Sequence, residues 1–178
     1  MKKAMLFLAL TTALTSNAFA VGVPGGTVNF HGEVVDAACT VAADSVNQHV
    51  YLGQVKPSDF VDNADAGKKQ EFRISLVDCD AATPTTVKLS FTGTTVPNAE
   101  NDIMANTAPN GAAGVGLRMY DKDSIPVPID GSGFTSAQDV LAGATTIPLF
   151  VDYVNIGVAA DVTPGPVESV ATFNVVYE

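Results

Sequence analysis

The chain has no tryptophan, two histidines and two cysteines in 178 residues. Basic residues are few too: 9 Lys and Arg stand against 19 Asp and Glu, for a formal net charge of −10. Past the first residues only Lys68 and Lys69 are adjacent cations. That excludes a basic groove for nucleic acid or anionic lipid. The carboxylates are scattered, as on a soluble surface that repels its own copies. A zinc site needs more ligands at short spacing than His31, His49 and two cysteines provide. The lack of tryptophan also weakens any sugar site built on aromatic stacking.

Catalytic signatures are missing as well. There is no P-loop, no Gly-x-Ser-x-Gly elbow, no paired-glycine dinucleotide turn and no His-Glu-x-x-His. Residues 63–67 share a few features with a calcium loop but lack its full ligand pattern and closing glutamate. His31 and His49 read as surface residues. The expectation is a protein that is not an enzyme, with no cofactor, no metal and no small-molecule substrate.

What is present begins at the first residue. Met1, Lys2 and Lys3 form a basic head, residues 4–14 are apolar apart from Thr11 and Thr12, and Ala18 and Ala20 place small side chains where a signal peptidase reads. Residues 1–20 therefore read as a secretory signal peptide. A membrane span needs about 20 mainly apolar residues. Here the run stops near Leu14, and Pro24, Gly25 and Gly26 follow. The remainder fits one domain. In an exported chain the isolated pair Cys39 and Cys79 reads as one disulfide. A catalytic thiol would need a base, and nothing nearby looks like one.

Residues 21–178 read as all-β. Alternation of apolar and polar side chains predicts strands over residues 27–35, 71–77, 87–91, 115–120, 147–154 and 171–177, with another candidate at 50–55. Asn110 with Gly111, Asp130 with Gly131, and several prolines punctuate the runs. A short helix or turn is expected near 58–66 and a long surface loop over 94–114. Such spacing suggests a β-sandwich or barrel.

The two ends and the cysteines carry a resemblance. Residues 25–39, the patch around Cys79, and the ending from Ala171 through Tyr177 to Glu178 resemble a type 1-like fimbrial major subunit, of the chaperone–usher pilus family. Gly165 stands where that family usually has glycine. The resemblance implies an incomplete immunoglobulin-like β-sandwich, a pilin domain completed by a donor strand from a neighbouring subunit. It implies a donor extension over 21–34 and a pilin domain over 35–178. Gly26, Val28, Phe30, Gly32 and Val34 share one parity, so their side chains can enter one groove together. Phe173, Val175 and Tyr177, with Gly165, are the expected acceptor groove and chaperone or subunit contact. The implied partners are identical or related subunits, a periplasmic chaperone and an outer-membrane usher. The implied destination is the fimbria on the surface of a Gram-negative bacterium, reached through the periplasm.

The residues by themselves also admit that both terminal strands belong to the domain's own sheets. A competing function is a secreted glycan- or receptor-binding module, as in an adhesin or a minor adaptor subunit.

Overall fold

The structure, a computed structural model, describes residues 25–30, 32, 38–62, 64–80 and 86–178. The signal peptide, His31 and Val34 lie outside them. Contacts divide the chain into Met1–Val35 and Asp36–Glu178. In the first unit, residues 25–30 and Gly32 are exposed and form no strand. All the elements below belong to the second unit.

One sheet orders its strands β1 (Thr40–Val41), β2 (Gln70–Cys79), β7 (Gly143–Asn155), β5 (Val115–Tyr120) and β4 (Ile103–Ala105). The other orders β6 (Gln138–Asp139), β3 (Thr86–Gly93) and β8 (Ala171–Tyr177). Every ladder is antiparallel. Period-2 alternation turns one face of each strand inward. Ile74 and Leu76 of β2, Leu117 and Met119 of β5, and Ile147, Leu149 and Val151 of β7 meet Val87, Leu89 and Phe91 of β3 in one core. Pro148 lies within β7, where β5 no longer pairs and its missing N–H interrupts only a one-sided ladder.

Three expectations are corrected: of the strand expected over 27–35, the described residues 27–30 and 32 form none. Residues 50–55 form no strand. Val50, Leu52 and Val55 pack against the core without a ladder, held where the Tyr153 hydroxyl donates to Gly53 O at 2.9 Å. Near residues 58–66 the expected short helix or turn is the 3-10 turn Pro57–Asp59. The expected surface loop 94–114 contains β4, whose Ile103 and Met104 are each 5% exposed. Among the described residues, no helix is long and apolar enough to cross a membrane.

Cys39 and Cys79 are joined. The bond staples the entry of β1 to the end of β2, where Thr40 opposes Val77. Asp121 fixes the far end. This carboxylate follows β5, is 2% exposed, and accepts the backbone N–H groups of Asp123, Ile125 and Ser136, each at 2.9 Å, and the Ser136 hydroxyl at 2.6 Å. Burial alone would raise its pKa, but these bonds outweigh it and hold the carboxyl below its ordinary value.

A depressed native pKa stabilises the fold above the unfolded value of about 3.9, and that contribution is lost as pH falls through the lower native value. Asp121→Asn is expected to lower the unfolding free energy at neutral pH by about 2–3 kcal/mol. The gap to wild type should narrow below about pH 4, followed by urea denaturation at each pH. Asp102 and Asp152, shifted upward by burial, act in the opposite sense but are common to both proteins.

Candidate functional site

Among the described residues, strand β3 is laddered on both sides and β8 on one. Thr86 and Glu178 exchange both backbone bonds, at 3.0 and 2.9 Å. In an antiparallel ladder such pairs alternate with unbonded ones. Lys88 with Val176, Ser90 with Asn174, and Thr92 with Thr172 are therefore the bonded pairs. Leu89, Phe91 and Gly93 turn their backbone groups the other way and bond to Thr135, Gly131 and Ile129. Ala171, Phe173, Val175 and Tyr177 turn theirs to the open edge, and no described residue bonds to them there.

Those four residues also face the core, but incompletely. Their register partners Val87, Leu89 and Phe91 are 0%, 0% and 3% exposed, whereas Phe173, Val175 and Tyr177 are only half-buried. One wall of the core thus ends in a half-exposed apolar row beside a ladder position that no described residue fills. The Phe173 ring lies 6.2 Å from that of Phe91, tilted by 46°. The Tyr177 hydroxyl donates to Cys39 O at 3.2 Å, joining the end of β8 to the disulfide. Burial pushes the Tyr177 pKa up, so it stays a neutral donor. Lys88 Nζ meets the Glu178 carboxylate at 2.6 Å. No charged residue lies within β8, so the row is apolar and uncharged along its length.

The structure brings Phe173, Val175 and Tyr177 together as the sequence parity predicts. Gly165 lies apart from that row. Its backbone packs against Gly111 and Ala112, where a Cβ would meet Gly111 C at 2.7 Å and Ala112 Cα at 2.9 Å. The neighbouring Pro166 O accepts from Ala112 N at 3.0 Å. Gly165 therefore permits the close backbone approach that leads the chain into β8. In the first unit, Val28 and Phe30 are 71% and 90% exposed, large apolar groups left in solvent.

The family described as Fimbrial protein matches residues 28–178. This chain belongs to the fimbrial protein family. The fimbrial subunit is 37% identical to the type-1 fimbrial protein A chain of Escherichia coli K12, over 97% of this chain and 93% of that relative. It is 35% identical to the fimbrial subunit type 1 of Klebsiella pneumoniae, over 99% and 98%. Among solved structures, a chaperone–usher pilus studied for rod uncoiling superimposes with TM-score 0.69 at 27% identity, over 90% of this chain and all of that one. The P pilus rod subunit PapA gives TM-score 0.65 at 28% identity, over 80% and 100%. The sandwich is the immunoglobulin-like pilin fold, and the chain is a structural pilus subunit displayed on the surface of a Gram-negative cell. The comparisons favour this reading over the adhesin alternative.

Sequence reasoning did not find the link from Tyr177 to Cys39 or the pair of Lys88 with Glu178. Neither has a local signal, since both join positions far apart in the chain.

Proposed function

We propose that the fimbrial subunit polymerises by donor-strand exchange, with residues 21–34 of one copy laid along the open edge of β8 in the next. After removal of residues 1–20, a periplasmic chaperone covers that edge first. An outer-membrane usher then replaces the chaperone with the donor segment, a form of β-strand addition. Gly26, Val28, Phe30, Gly32 and Val34 form the inserted row, and the domain of residues 35–178 receives it.

The observation that carries this reading is the half-exposed row of Phe173, Val175 and Tyr177 at an unpaired sheet edge. A strand there would meet outward N–H and C=O groups and an apolar surface together. Each large apolar side chain fully buried contributes roughly 1.5–3 kcal/mol. Each backbone bond adds about 0.5–1.5 kcal/mol.

The test is the chain lacking residues 21–30, heated with and without a peptide copying residues 21–35. Peptide at one hundred times its Kd stabilises by about 2.7 kcal/mol. That corresponds to a rise in Tm of roughly 5–10 °C for a domain of this size. A shortened chain that is already stable and ignores the peptide would remove the donor role.

A further inference from the structure

Residues 38–40 lead the chain from the donor segment into the domain, and they are pinned from several sides. Ala38 O accepts from Asp80 N at 2.8 Å, and the disulfide ties Cys39 to the end of β2. Further in, Ala42 N donates to Ser75 O at 2.9 Å, and Thr40 stands opposite Val77 in the same register. By antiparallel alternation the Thr40 N–H bonds to Val77, and the Cys39 carbonyl turns away from β2. On that side it accepts the Tyr177 hydroxyl at 3.2 Å. One peptide unit, Cys39 to Thr40, is thus held by β2 through its N–H and by β8 through its oxygen.

Tyr177 therefore belongs to two places at once. Its ring is part of the half-exposed row along the open edge of β8, and its hydroxyl grips the root of the donor segment. Its backbone has little room to move, because the exchange of bonds between Thr86 and Glu178 closes the ladder beside it. Cys39 is 3% exposed, so water offers its carbonyl little alternative.

We infer that Tyr177 is a positioning residue that couples the receiving edge of a subunit to the root of its own donor arm. The inference rests on the donor-strand reading above. A strand laid along β8 covers the Tyr177 ring and removes water from around the hydroxyl. The bond to Cys39 O then strengthens, because the local dielectric falls and competing water is gone. The root of the arm is held harder when the edge is occupied than when it is bare. Such coupling is reciprocal, so a firmly held root also favours the strand. Receipt of one neighbour in this way prepares the subunit to be donated to the next.

Amide hydrogen exchange tests this on the chain freed of residues 1–20, with a peptide copying residues 21–35 as the added strand. The probe is the Thr40 amide, read against amides of β7 that report stabilisation of the whole domain. Peptide should slow Thr40 about fivefold beyond that reference, the lower end of ordinary coupling. Tyr177→Phe keeps the ring and removes the hydroxyl. That chain should bind the peptide about fivefold more weakly, and the extra protection at Thr40 should vanish. A tyrosine with a merely structural role would not match these two factors. The wild-type chain alone can overturn the coupling, if peptide binds and Thr40 exchanges no more slowly than the reference. Extra protection that persists in the phenylalanine chain overturns it as well. A wild-type Tm that ignores the peptide removes the donor-strand reading, and this inference with it.

Discussion

Chains carrying Phe30→Asp should yield no fibres, while the unassembled subunit melts as wild type does. Phe30 is 90% exposed in the free chain, so replacing it removes no native packing. Surface changes of this kind usually stay within about 0.5 kcal/mol. In the proposed fibre the same ring is buried beside β8, and losing it forfeits about 1.5–3 kcal/mol. The carboxylate adds a desolvation penalty that nothing in uncharged β8 repays. A combined loss of about 4 kcal/mol corresponds to roughly a thousandfold weaker exchange. Electron microscopy counts the fibres, and Phe30→Leu, which keeps most of the apolar area, should restore them. Normal fibres from the aspartate chain would mean that Phe30 is not part of the inserted row.

The second large effect concerns the disulfide. Replacing Cys39 and Cys79 together by alanine should lower the unfolding free energy by about 4 kcal/mol, the chain entropy released by opening a loop of this length. Whole domains are stable by only about 5–15 kcal/mol, so this is a large share. The damage should extend beyond β1 and β2, because Cys39 O also holds the Tyr177 hydroxyl. Urea denaturation of the double variant measures the loss, and hydrogen exchange at the end of β8 should accelerate alongside it. A loss under about 1 kcal/mol would contradict the loop-entropy account.

The strands that sequence could supply were those long enough to show a period. Those at β2, β3, β5, β7 and β8 alternate over at least five residues, and the structure contains all of them. By contrast, β1, β4 and β6 are two or three residues long, too short for alternation to register. Residues 50–55 misled for the opposite reason. Val50, Leu52 and Val55 face the core, so the pattern reports burial truly, but no neighbouring strand supplies a ladder. For the site, the shared parity of Phe173, Val175 and Tyr177 was readable. That β8 stands at an edge was not, because edge position belongs to the topology of the whole sheet. The environment of Asp121 was likewise hidden, since its partners are gathered only by folding.

The ladder between β3 and β8 has a mechanical meaning. It runs in register from Val87 opposite Tyr177 to Gly93 opposite Ala171, and the exchange of bonds between Thr86 and Glu178 closes its end. In the proposed fibre a pull on one subunit reaches the next along the axis of β8. Force in that direction loads the ladder in shear, so its bonds resist together instead of parting one after another from an end. The strand proposed to receive the neighbour is also the strand whose seam is set to carry tension.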